Sequence, residues 1–312
     1  MNIIITGGTG LVGSALASTS CDKNINCIQL NSKHCDLKDY NQSLKVISEI
    51  HRSKPISIII HCAARVGGLY RNMREPVEMM NDNLLINTNI LNIAHLLNIN
   101  KVVCVLSTCI FPDKVEYPIK VEDLHMGPPH SSNEGYAYAK RILEVQCKAF
   151  RKQYDREYYC VIPTNIYGEN DNFNPNDSHV IPGLIYKAVK SKIVGKELNV
   201  SGNGSHLRQF IFNIDLANII WWSIKEYKHF DIPLICCPKN EISISEVAET
   251  IAKIVELEKV VYTNEEGGQY KKTCLDTNTQ LKELGYSKQF IWTPLEKGLK
   301  YTIMWYMSIT SK

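Results

Sequence analysis

The run Thr6-Gly7-Gly8-Thr9-Gly10-Leu11-Val12-Gly13, set directly after the apolar stretch Ile3-Ile4-Ile5, constrains this chain more than any other feature. It satisfies Gly8-x-Gly10-x-x-Gly13 and also Gly7-x-x-Gly10-x-x-Gly13. Glycines let a backbone turn sharply and approach a pyrophosphate, and free N–H groups at the next helix N-terminus then stabilise its charge. A glycine trio alone is weak evidence. Its place between a strand pattern and a helix pattern is the context that gives it weight.

The chain beyond Gly13 repeats that alternation. Strand patterns fall at residues 2–6, 26–30, 57–61, 101–106 and 158–162, with helical patterns at 11–20, 40–52, 76–97 and 136–154. Strands alternating with helices predict βαβ units and a parallel sheet covered on both faces, the doubly wound α/β (Rossmann) class. After Pro163 the pattern loosens into a polar loop over 168–178 and a helix over 182–192. A short strand near 197–200 and the turn Gly202-Asn203-Gly204 come next. A strand over 210–214 is expected to rejoin the sheet, with helices over 216–226 and 245–257. Residues 1–165 plus about 210–240 are therefore expected to bind the cofactor. Residues 166–209 plus 241–312 should form a smaller, discontinuous substrate domain.

Bulk properties remove several alternatives. A net charge of +3 with no dominant basic block argues against nucleic acid as partner. No apolar run approaches the ~20 residues of a membrane span. The start of the chain lacks the basic n-region of a secretory signal, so a cytoplasmic protein is expected. The 11 cysteines are scattered, without zinc or CxxC spacing, and no metal is expected.

The second strand pattern ends Leu30-Asn31-Ser32-Lys33-His34, with no carboxylate before Asp36. An acidic residue here would bind a ribose 2′-hydroxyl, whereas Lys33 and Ser32 suit a 2′-phosphate; NADP(H) is the expected cofactor. Tyr136 and Lys140 stand one helical turn apart on one face, and Ser107 follows a strand pattern at its carboxyl end. That set suits carbonyl reduction. Tyr136 can give a proton to the oxygen, Ser107 can polarise the carbonyl, and Lys140 is expected to lower the tyrosine pKa.

Taken with Val66-Gly67-Gly68-Leu69, Leu106-Ser107-Thr108-Cys109-Ile110-Phe111-Pro112, Gly127-Pro128-Pro129-His130, Ile162-Pro163-Thr164-Asn165-Ile166-Tyr167-Gly168 and Gly268-Gln269-Tyr270-Lys271-Lys272-Thr273, these residues resemble a known family. The chain is similar to the extended short-chain dehydrogenase/reductases, and within them to the GDP-L-fucose synthase family. The resemblance implies a GDP-linked 4-keto-6-deoxy sugar as substrate, 3,5-epimerisation followed by NADPH-dependent 4-keto reduction, and a homodimer pairing through helices at 81–97 and 136–154. It implies Cys109 and His179 as base and acid of epimerisation. Chemistry supports this, because a C4 ketone acidifies the C3 and C5 hydrogens, and thiol and imidazole exchange protons near neutrality. It extends the cofactor site, beyond the fingerprint, Lys33 and Asp36, to Ala63, Leu106, Ser107, Lys140, Pro163, Thr164, Asn165, Ile166 and His179. Lys187, Ser201, Arg208 and Asp276 fall at substrate positions. Ser201 is a departure, since relatives carry tryptophan in that W-G-x-G turn. Sister readings are a GDP-L-colitose synthase, a simple 4-reductase, or, more distantly, a non-catalytic NADP(H)-binding regulator. Such a regulator would typically have lost Tyr136 or Lys140.

Overall fold

In the computed structural model, which describes residues 1–20, 22, 24–263 and 272–310, the chain opens as the fingerprint requires. β1 (Asn2–Thr6), α1 (Leu11–Thr19), β2 (Asn26–Leu30), α2 (Tyr40–Ser53), β3 (Ile56–His61), α3 (Leu69–Arg74), α4 (Pro76–Leu96), β4 (Lys101–Val105), α5 (Glu134–Tyr154) and β5 (Glu157–Pro163) come in order. The second part contains β6 (Asn165–Tyr167), α6 (Val180–Val194), β7 (Leu198–Val200), β8 (Leu207–Arg208), β9 (Phe210–Phe212), α7 (Asn213–Glu226), β10 (Leu234–Cys236), β11 (Ile242–Ser243), α8 (Ile244–Ile254), β12 (Val260–Tyr262), α9 (Thr277–Glu283) and α10 (Leu295–Thr310). Among these, no helix is long and apolar enough to cross a membrane.

Six strands form one sheet in the order β2-β1-β3-β4-β5-β10, every pair parallel. Both faces are covered, so its strands are near-continuous apolar runs rather than alternating ones. Ile4, Ile59, Val102 and Tyr158 face one layer with α2, α4 and α5 residues such as Ile47, Ile90 and Leu143. Ile3, Ile60, Val103 and Tyr159 face the other with Leu16, Leu216 and Ile220. Each fully buried isoleucine contributes about 2 kcal/mol through apolar burial. Strand order reverses between β1 and β3, and a crevice at the carboxyl ends of such strands is where doubly wound sheets bind ligands.

The strand expected to rejoin this sheet over 210–214 does not do so. Phe210–Phe212 pairs instead with β6 in a separate two-stranded parallel ladder. The sixth strand is β10, which lies beside β5. Its three residues, Leu234-Ile235-Cys236, are buried on both sides, and so short an apolar run has no period to read. A third apolar cluster joins α6, α8, α10, β7 and β9 around Ile185, Leu198, Phe210, Ile251 and Leu299. Leu281 of α9, with Tyr286, Phe290 and Trp292, packs back onto the second face of the large sheet.

Candidate active site

The fingerprint is built by close backbone approach. Gly7 takes φ +64, and a Cβ there would meet the Ala63 nitrogen at 2.9 Å. A Cβ on Gly13 would lie 2.4 Å from the Gly7 carbonyl, so only glycine lets α1 come this near the turn. Gly10 begins α1 with no side-chain cap and no acidic residue in the first turn. An uncapped N-terminus, with Thr9 and Gly10 exposed in front of it, is a ready anion seat. Thr164, at the end of β5, is buried with its Oγ1 unpartnered, and Asn165 beside it is exposed. Lys33 and Asp36 both stand exposed after β2. These residues fit a dinucleotide along the carboxyl edge of the sheet, with a lysine within the loop that would meet its ribose.

Behind the fingerprint a buried polar chain ties cofactor strand to catalytic helix. Thr6 Oγ1 meets His61 Nδ1 at 2.8 Å, and His61 Nε2 meets Asn87 Oδ1 at 3.0 Å. Asn87 donates onward to the Ala139 carbonyl at 3.4 Å. Since the Asn87 oxygen only accepts, Nε2 carries the proton and Nδ1 accepts from Thr6. Burial, helped by the nearby Lys140 charge, pushes the His61 pKa down to about 3, so the ring stays neutral.

Ser107 leaves β4 in extended conformation and caps the short 3₁₀ turn Thr108–Ile110, its Oγ accepting from the Cys109 N–H at 3.4 Å. Tyr136 and Lys140 occupy the first turns of α5. Lys140 is 2% exposed and its Nζ donates to the Val105 carbonyl at 2.9 Å, 6.0 Å from the Tyr136 ring centre. Burial lowers the Lys140 pKa, opposed by the surrounding sulfurs of Cys104, Cys62 and Cys109. Burial also pushes the Tyr136 phenol far up, and Cys109 adds to that. Burial dominates the phenol, while the Lys140 ammonium beside it is held by the Val105 carbonyl.

Cys109 is half-buried beside this pair. Burial raises its thiol pKa, while the Ser107 hydroxyl and the charges of Lys272 and Lys140 pull it down. Lys272 is a functional candidate that the sequence did not single out, although it stands in the motif ending at Thr273. Burial lowers its pKa; Cys109, Cys274 and Asp113 oppose this, and Arg208 adds to it. Arg208 itself is lowered by burial, countered by Tyr117 and Glu241, and donates to the Leu207 carbonyl at 2.7 Å. Residues 268–271 of that motif lie outside the described residues.

His179 caps α6 by its backbone alone, and the residue lines an open cleft. The ring is exposed to that cleft, yet the protein crowded around it disfavours its charged form; Asp177 opposes the shift. Lys187, Ser201 and Tyr70 line the same cleft. Asp276 does not reach for it. This carboxylate is 8% exposed and caps α9, with Oδ1 accepting from the Thr279 N–H at 3.1 Å and Oδ2 from its hydroxyl at 2.7 Å. Both oxygens thus cap the helix, and each keeps a further lone pair.

Comparison with known proteins agrees with this geometry. Residues 3–235 match the NAD dependent epimerase/dehydratase family. A GDP-L-fucose synthase of Dictyostelium discoideum is 41% identical over 98% of this chain and 95% of its own. A GDP-L-colitose synthase of Yersinia pseudotuberculosis is 30% identical over 99% and 98%. The crystal structure of a GDP-L-fucose synthetase from Naegleria fowleri bound to NADP superimposes with a TM-score of 0.89 at 37% identity, covering 100% of this chain and 94% of that one. With a serine, tyrosine and lysine grouped at the carboxyl edge of the sheet, this chain belongs to the NAD dependent epimerase/dehydratase family and, within it, to the GDP-L-fucose synthases.

Proposed function

We propose that this protein converts GDP-4-keto-6-deoxy-D-mannose to GDP-L-fucose by epimerisation at C3 and C5 and reduction at C4. The observation that carries the reading is Cys109 lying within the electrostatic reach of Tyr136, Lys140 and Lys272, with His179 on the cleft. A reductase alone needs only Ser107, Tyr136 and Lys140.

The steps then come from residue chemistry. Cys109, as thiolate, removes the C3 proton while Ser107 and Tyr136 donate hydrogen bonds to the oxygen at C4, where enolate charge collects. His179, as imidazolium, returns a proton to the opposite face, which inverts the centre; once thiol and imidazole have exchanged protons with solvent, the same exchange at C5 inverts the second. NADPH, when bound, supplies the hydride that reduces C4. Tyr136 gives its proton to O4, and the Lys140 ammonium offsets the phenolate that remains. Thr164 and the open α1 N-terminus would hold the cofactor, with Lys33 at its ribose phosphate. Lys187 lines the cleft where the GDP diphosphate would lie, and Arg208 supports it from β8.

Residues 1–165 with about 210–240 hold the cofactor in this reading, and 166–209 with much of 241–312 the nucleotide sugar. The protein works in the cytoplasm as a homodimer. A second reading, GDP-L-colitose synthesis, rests on the similarity to the Yersinia enzyme and on Ser201 at a tryptophan position. Comparing kcat/KM for the 6-deoxy and 3,6-dideoxy keto-sugars decides between them; preference for the 3-deoxy substrate overturns the first reading.

A further inference from the structure

The motif Val66-Gly67-Gly68-Leu69 is not used by the chemistry above, yet the structure gives it a definite partner. A Cβ on Gly68 would lie 2.6 Å from the Ser178 carbonyl, and one on Gly67 would lie 2.8 Å from Asp177 Oδ1. The Gly68 N–H donates to the Asp177 carbonyl at 3.0 Å. Two glycines therefore make a flat seat for the backbone just before His179. Arg71, one turn into α3, reaches over that seat and bonds Asp177 Oδ2 at 2.7 Å. The same guanidinium holds Glu75 Oε2 at 3.0 Å, and Glu75 also takes Arg65, which in turn binds Asp82 of α4.

His179 is clamped as a result. On one side its backbone enters α6, where the Gly183 N–H donates to the His179 carbonyl at 3.0 Å. On the other, residues 177–178 are pinned to α3, and through Glu75 and Arg65 to α4. The Arg71–Asp177 pair is only partly exposed, at 27% and 14%, so solvent screens it less than a surface pair. Asp177 Oδ1 is buried without a partner, so Arg71 carries the pairing of this carboxylate.

We propose that Arg71 is a positioning residue: its ion pair with Asp177 over the Gly67–Gly68 seat aims the His179 ring for epimerisation and is dispensable for hydride delivery. The proposal rests on the reading of His179 as proton donor. Ring placement matters because a 1 Å displacement of a catalytic group can cost about a hundredfold in rate.

Arg71→Met is compared with wild type in deuterated solvent with GDP-4-keto-6-deoxy-D-mannose and NADPH, following deuterium gained at C3 and C5 against NADPH consumed. The expected result is a fall of at least about tenfold in the deuterium-to-NADPH ratio, with more reduced but uninverted sugar and unchanged NADPH affinity. Arg71→Lys, which retains one point-charge contact to Asp177, should restore much of the ratio. Asp177→Asn, nearly isosteric, should lower it in the same direction, and serves if Arg71→Met fails to fold. A merely structural arginine would lower the melting temperature and leave the ratio alone, and an unchanged ratio in either folded variant overturns the proposal. If wild type reduces without gaining deuterium, the function reading falls by itself. The His179 ring resonance in ¹³C-histidine-labelled Arg71→Met then decides for the seat by shifting and broadening, or against it by staying put.

Discussion

At the residue scale the site is governed by burial, which sets the resting proton positions. Burial raises the Cys109 thiol and lowers His179, so at neutral pH the sulfur rests protonated and the ring neutral. Proton removal by Cys109 requires the thiolate and proton return by His179 requires the imidazolium, a minor pair whose population is level between the lowered and the raised pKa. The epimerisation rate should therefore stay nearly flat through neutrality and fall at both pH extremes, measured as deuterium uptake at fixed NADPH. Cys109→Ser should cut that uptake by about a hundredfold or more while NADPH binding stays within about twofold, because the serine hydroxyl ionises far less readily. Unchanged uptake would remove Cys109 from the mechanism. Lys272 supplies opposing charge to the thiol, so Lys272→Met should lower the epimerisation plateau, move its alkaline limb to higher pH and leave hydride transfer less affected.

At the element scale, the legible parts of the sequence are those that carry a period or a fixed spacing. β1, the glycine turn and α1 are legible because three glycines at set offsets between two patterns admit few other structures. α5 is legible because Tyr136 and Lys140 share one face. β10 is not, since three apolar residues have no period, and for the same reason the sequence of β9 does not show which sheet it joins. Among site residues, Ser107, Tyr136 and Lys140 come from spacing, whereas Cys109 and His179 need the family resemblance. Asp276 adds in the structure a helix-capping role that the resemblance does not suggest. Arg71 gives no signal at all, its partner lying 106 residues away. The fingerprint supports a direct test: Gly13→Ala would drive a methyl into the Gly7 carbonyl. It should cost about 1–3 kcal/mol and weaken NADPH binding sharply, as read by thermal melts with and without cofactor.

At the scale of the whole molecule, the sheet and its covering helices give two expectations. The His61 chain joins β1, α4 and α5, and its neutral histidine binds fewer protons folded than unfolded below the ordinary pKa. Stability should therefore fall as pH drops from about 6.5 towards about 3, by up to about 1.4 kcal/mol per unit, visible in urea titrations. The outer faces of α4 and α5 leave Leu85 and Val145 each 48% exposed, as a pairing surface would. Sedimentation should give twice the chain mass, and Leu85→Lys with Val145→Lys should halve it; a wild-type monomer would contradict the dimer. The central claim, epimerisation and reduction by one protein, is tested most directly by turnover of GDP-4-keto-6-deoxy-D-mannose with NADPH in deuterated water, followed by NMR of the sugar. GDP-L-fucose with deuterium at C3 and C5 is the predicted product, and a C4-reduced sugar with no deuterium at either carbon would contradict the claim.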